Sequence, residues 1–219
     1  MKFSKILLPI LSITILMGSC ASSYKSVQPH RMNYNSKSVS NDVILEYRYD
    51  LLEKKYAKKE NKKGVRLVAV KITNNSEKEL TIGQDLKFAY DGGSKAYVMD
   101  TDRAFKSLKQ SPATYLFYLL LAPVNLYTTK VNGSSVETKS FPIGLVVGPG
   151  LAIGNMAAAG SANNKLKQQL YGLNVMGMPV ATGQTVSGLV SLKSSSYNSL
   201  NLVTDYTEPT GEELIGSKR

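Results

Sequence analysis

One cysteine and one histidine are all that the 219 residues offer to thiol and imidazole chemistry. With a single cysteine no internal disulfide can form, so Cys20 needs another explanation. His30 stands alone in a Ser/Asn-rich stretch, and a catalytic triad or dyad needs an ordered imidazole beside its nucleophile. A zinc site draws three or four ligands from Cys, His and carboxylates, and that supply is missing. Acids are also short, 16 Asp and Glu against 27 Lys and Arg. Asp85, Asp91, Asp100 and Asp102 lack the spacing of a calcium loop and read as exposed turn acids. A hydrolase with an unrecognised site stands as a second alternative, and it would need Ser/Lys or paired-carboxylate chemistry that no segment displays. These absences argue against an enzyme, and no cofactor is expected.

One glycine pattern imitates a cofactor loop. Ile143 to Gly154 contains Gly144, Gly148, Gly150 and Gly154. A dinucleotide fingerprint also needs a βαβ unit and an acid about 20 residues on. Residues 165–180 hold no Asp or Glu, and Pro149 removes an N–H where phosphate would be cradled.

What is present begins with a leader. Lys2 and Lys5 precede an apolar run from Ile6 to Met17, then come the small Gly18 and Ser19, then Cys20. This is signal-peptide architecture, and the run is shorter than the ~20 residues a membrane-spanning helix needs. Met17 to Cys20 resembles the lipobox of bacterial lipoproteins. The resemblance implies that the Cys20 thiol carries a diacylglycerol and that Cys20 becomes the first residue of the mature chain. Two or three acyl chains of the palmitate type then hold the protein on the bilayer without a transmembrane helix.

The formal charge of +11 falls to +9 once Lys2 and Lys5 are removed. A basic balance can mean nucleic acid, anionic lipid or anionic glycan, and export argues against nucleic acid. The charge is clustered at Lys54, Lys55, Lys58, Lys59, Lys62 and Lys63, with Glu53 and Glu60 among them. Two readings stand: a solvated hairpin loop, or a patch that touches anionic headgroups or polysaccharide.

Residues 20–42 are Ser/Asn-rich and read as a lipidated flexible tether. A folded region is expected over 43–206, with a flexible tail at 207–219. Val43, Leu45, Tyr47, Tyr49 and Leu51 alternate with Ile44, Glu46, Arg48 and Asp50, the period of a half-buried strand. Val65 to Ile72, Leu80 to Ile82, Leu86 to Tyr90, Val186 to Leu192 and Ser199 to Tyr206 continue in strand-like fashion. Asp91-Gly92-Gly93 marks a hairpin turn whose return strand is Lys95 to Met99. The expected fold is mainly β, an Ig-like antiparallel sandwich with an apolar helical insertion at about 101–185.

The insertion has two apolar segments, Tyr115 to Tyr127 and Phe141 to Gly160, separated by a polar loop. Asn163 to Leu173 reads as an amphipathic helix. The small residues let backbones approach closely, while Pro149 argues against one continuous spanning helix. Either the two segments pack as a buried helical hairpin near Gly150 and Gly154, or they meet the membrane or a partner. Tyr115, Phe117, Leu119, Leu120, Gly150 and Gly154 are the candidate contacts.

Val68-Ala69-Val70-Lys71-Ile72-Thr73-Asn74-Asn75-Ser76 resembles the Ig-like domains of bacterial envelope lipoproteins, in which an exposed strand runs into an Asn-rich turn. Residues 179–190, Pro-Val-Ala-Thr-Gly-Gln-Thr-Val-Ser-Gly-Leu-Val, look like a late strand of the same domains. The style is similar to uncharacterised lipoproteins of the Bacteroidetes, over about half of the mature chain. The resemblance implies an address rather than an activity. In that group an acidic cluster after the lipidated cysteine directs proteins to the cell surface. Ala21 to Lys25 has none, which points to the periplasmic leaflet of the outer membrane. The expected role is a non-enzymatic scaffold or interaction module, with the membrane and an envelope protein as partners. The alternative is a module for anionic glycan or lipid headgroups that uses the lysine segment.

Overall fold

The computed structural model describes residues 20–204. The expected leader at 1–19 and the tail at 207–219 lie outside the described residues. Strand and helix take roughly a third each, so helix is as abundant as the strand that was expected to dominate. The residues form two compact units: one holds 20–23 with Gln110–Asn164, the other Tyr24–Lys109 with 165–204.

The larger unit is built on antiparallel sheets. Strands β1 (Ser36–Ser40), β2 (Val43–Arg48), β3 (Val65–Asn74) and β9 (Thr185–Lys193) form a four-stranded sheet in the order β1-β2-β3-β9. Short strands β4 (Leu80–Thr81) and β8 (Pro179–Val180) pair with each other, as do β5 (Lys87–Tyr90) and β10 (Leu200–Val203). In β2 the expected alternation holds residue by residue: Val43, Leu45 and Tyr47 are buried and their neighbours half-exposed. They join Val68, Val70 and Ile72 of β3, Val190 and Leu192 of β9, Phe88 of β5, and Leu200 and Leu202 of β10 in one core cluster.

Strand β3 is buried on both faces over its first half. Helix α1 (Lys54–Lys63) and helix α2 (Thr101–Leu108) pack on it, so the alternation seen in β2 gives way to continuous burial from Val65 to Val70, Arg66 included. Asp100 caps α2 by accepting from the Asp102 and Arg103 amides, which satisfies two otherwise orphaned donors.

The smaller unit holds a 3-10 helix (Pro112–Leu121), strands β6 (Leu126–Asn132) and β7 (Ser135–Phe141), and the first part of helix α3 (Gly144–Gly172). Tyr115, Tyr118, Ala152 and Ala159 form its core, with Ala21, Leu121, Leu151 and Met156 against them. The Tyr115 and Tyr118 rings stack with centroids 6.5 Å apart.

Four expectations change. The Lys-rich segment is a helix, ended by Gly64 in the left-handed region. Residues 20–42, expected as a tether, carry β1 and bury Tyr24 and Val27. The polar loop between the two apolar segments is the β6–β7 ribbon, closed at Gly133 with φ of 61°. Pro149 lies inside one unbroken helix, α3. At its sixth position proline forfeits one intrahelical bond, and the remaining turns hold the helix.

Candidate functional site

The smaller unit gathers most of the features singled out in the sequence. Cys20 is exposed. The residue after it is fastened: the Ala21 amide donates to Asn155 Oδ1 at 2.6 Å. The Ser22 amide donates to Gln110 Oε1 at 3.0 Å, and Gln110 Nε2 returns a bond to the Ser22 carbonyl. Gln110 is itself held by Asn163, whose Oδ1 accepts from the Gln110 amide and whose Nδ2 donates to the Gln110 carbonyl. Sequence reasoning missed these three amides. Each is an isolated amide with no motif around it, so the sequence carries no signal for the clasp.

The same unit exposes many apolar side chains. Phe117, Leu120, Val146 and Ile153 are 72, 73, 76 and 68% exposed, and Leu116, Leu119, Leu145 and Val147 are also exposed. Of the candidate contacts, Phe117, Leu119 and Leu120 lie on this surface, while Tyr115 is buried in the core of the unit. Gly150 and Gly154 are exposed, and a Cβ at either would meet open space. The close approach is made instead by Gly144 and Gly148. A Cβ at Gly144 would overlap the Leu121 carbonyl oxygen, and one at Gly148 would lie 2.8 Å from that of Tyr118. The small-residue pattern therefore acts at its first pair, where α3 begins against the 3-10 helix. By length and composition α3 is able to cross a membrane, and only 22% of its most apolar window is buried.

No family model, no curated protein and no solved structure matches this chain.

The lysines belong to the larger unit. Their spacing (i, i+1, i+4, i+5, i+8, i+9) places all six on one half of α1 at about 100° per residue. Tyr56 and Glu60 form the buried side of the helix. Lys59 is half-buried, and its Nζ donates to the Lys109 carbonyl. Desolvation, then the charges of Lys63, Lys109 and Lys62, pull its pKa below the ordinary lysine value. Lys193 Nζ donates to the Lys63 carbonyl at 2.7 Å. Lys109 and Lys167 approach the Phe105 ring at 5.7 and 5.9 Å. The cationic surface is thus wider than the cluster seen in the sequence.

A titration of that surface is direct. Replacing Lys54, Lys58 and Lys62 with Gln is expected to change stability by less than about 0.5 kcal/mol. Binding to vesicles rich in anionic lipid should fall by about a hundredfold, at about 1 kcal/mol per lysine near the surface. Co-sedimentation at two salt concentrations measures it. Unchanged binding with a collapsed melting temperature would assign the lysines to the fold.

Among the described residues no three His, Cys, Asp or Glu side chains cluster as a metal site. His30 is exposed in a short 3-10 turn. Asp85 Oδ2 accepts from the Thr81 amide, Asp91 Oδ1 from Asn201, and Asp102 Oδ1 from the Tyr171 hydroxyl. Each acid is engaged in a local hydrogen bond.

Proposed function

We propose that the chain is a non-enzymatic lipoprotein of the cell envelope, anchored through Cys20 to the periplasmic leaflet of the outer membrane. One observation carries this reading. Exposed Cys20 and the concentration of exposed Phe, Leu, Val and Ile belong to the same compact unit. A lipid on Cys20 brings that unit to the bilayer, and a patch of this kind marks a membrane or protein contact. Burying one large apolar side chain contributes about 1.5–3 kcal/mol, so a few of these residues add materially to the acyl chains. The larger unit is then an Ig-like sandwich held at the membrane as an interaction module. Its shared core between the β2-β3-β9 sheet and the β5-β10 pair supports that reading.

Cys20→Ser is expected to abolish labelling by an acyl analogue and to release the protein from membranes. Equal labelling of the variant would sink the anchor. In the Cys20→Ser background, adding Phe117→Gln, Leu120→Gln and Val146→Gln should remove residual binding to neutral vesicles. Binding that survives these changes would separate the apolar surface from the membrane.

The lysine half of α1 favours a second reading, a module for anionic glycan or headgroups. Six ammonium groups lie along about 13 Å of helix, a density of positive charge that an anionic surface would neutralise.

A further inference from the structure

Strands β6 and β7 form a ribbon of their own. Among the described residues they pair only with each other, in register from Leu126↔Phe141 to Asn132↔Ser135. Every residue of both strands is exposed. A lone two-stranded ribbon is marginal in water, and each outer edge presents backbone groups that invite another strand. The pleat sorts the side chains. Tyr127, Thr129, Val131, Val136, Thr138 and Ser140 share one face, which has no charge. Lys130, Glu137 and Lys139 lie on the other.

We propose that β7 pairs with β7 of a second copy, antiparallel about a two-fold axis at Thr138. The order Glu137-Thr138-Lys139 is the reason. In that register each Glu137 faces the second copy's Lys139, and two cross-strand ion pairs form. A shift of two residues either way sets Glu137 against Glu137 or Lys139 against Lys139. A shift of one turns the uncharged face of one ribbon beside the charged face of the other. The β6 edge offers no such match, because Lys130 is its only charge and meets either an uncharged residue or itself.

The backbone favours the same register. The two strands are joined by a two-residue loop, Gly133-Ser134, so Asn132 and Ser135 form the hydrogen-bonded pair beside it. Backbone groups of Ser135, Glu137 and Lys139 then point towards β6, and those of Val136, Thr138 and Ser140 point outwards. Thr138 would exchange both bonds with its symmetry mate. Glu137 and Lys139 would occupy the non-hydrogen-bonded positions, where side chains approach most closely. Within one copy Lys139 Nζ is 3.7 Å from Glu137 Oε1, with both side chains more than half exposed. Such a surface pair contributes little and can be re-formed across the interface. The result is a four-stranded sheet, closed by its symmetry as a dimer. The inference does not depend on the lipid anchor.

Sedimentation equilibrium of the full chain in the Cys20→Ser form tests it across the micromolar range. A reversible dimer is expected. Lys139→Glu replaces two opposite-charge pairs by two like-charge pairs and should weaken the dimer by roughly tenfold or more. Combining Glu137→Lys with Lys139→Glu restores the match and should restore the dimer. Lys130→Glu, which alters only the pairing inside the ribbon, should leave association nearly unchanged. A short bis-maleimide should join Thr138→Cys to itself far more than it joins Thr129→Cys. A monomer throughout, or a dimer indifferent to Lys139→Glu, overturns the proposal and leaves the ribbon to another protein or to the bilayer.

Discussion

Gly144→Leu is expected to unpack the smaller unit, while Gly154→Leu leaves it intact. Any side chain at Gly144 starts with a Cβ that overlaps the Leu121 carbonyl oxygen and crowds the Ala122 oxygen and Val124 nitrogen. These are backbone atoms, which cannot rotate away. The Gly144 amide also donates to the Val124 carbonyl at 2.9 Å, so moving the helix start breaks that bond as well. Overpacking of this kind costs about 3 kcal/mol or more when the neighbour is rigid. At Gly154 nothing lies within 4 Å of an added Cβ. Leucine there gains up to about 1 kcal/mol of helix propensity over glycine. Near-ultraviolet circular dichroism of the stacked Tyr115 and Tyr118, with hydrogen exchange over residues 112–160, reports on the packing. Equal damage from both variants would mean that the helix is held by contacts other than its first turn.

Stability should fall between about pH 4.5 and pH 7, and Glu60→Gln should remove most of the fall. Glu60 lies on the buried side of α1, 2% exposed, and its Oε1 accepts from the Leu67 amide at 2.7 Å. Desolvation pushes its carboxyl up from 4.5 to about 7, against the opposing pull of the Leu67 amide and the Arg66 charge. Below pH 4.5 the group is protonated in folded and unfolded chains alike and has no effect on the balance. Between 4.5 and 7 the unfolded chain releases the proton while the folded chain keeps it, so stability declines as pH rises. Above 7 the decline is complete, at about 3 kcal/mol. Glutamine keeps the acceptor for Leu67 and has no proton to lose. Urea unfolding at several pH values compares the two proteins, and parallel profiles would show that Glu60 does not carry the dependence.

The strands of the larger unit were legible because their signal is local. Val43 to Arg48 alternates, Val65 to Ile72 sets Val68, Val70 and Ile72 on one face, and Asp91-Gly92-Gly93 turns. What escaped was periodicity written in the wrong residues. Helix α1 repeats its lysines with helical spacing, but its buried side is Tyr56 and Glu60, one aromatic and one acid. An apolar count finds no face there. The β6–β7 ribbon escaped for a related reason. Its strands are Thr- and Val-rich, and Asn132-Gly133 is a strong turn signal, yet neither face is buried and so no alternation of burial is imposed. The segment before β1 was misjudged because only Tyr24, Val27 and Pro29 of it are buried, too few to set a period. At the site, sequence located the apolar segment but assigned the close approach to Gly150 and Gly154. Spacing alone does not tell which glycine pair meets a neighbour.

The Gln169 side chain has a mechanical consequence. Its Oε1 accepts from the Val27 amide and the Tyr24 hydroxyl, and its Nε2 donates to the Val27 carbonyl. This is a two-way clamp on the backbone between Cys20 and β1. Along the chain this clamp comes before the sheet register that begins at Ser36↔Tyr47, so a pull on the backbone ahead of Tyr24 meets the Gln169 bonds before it meets β1.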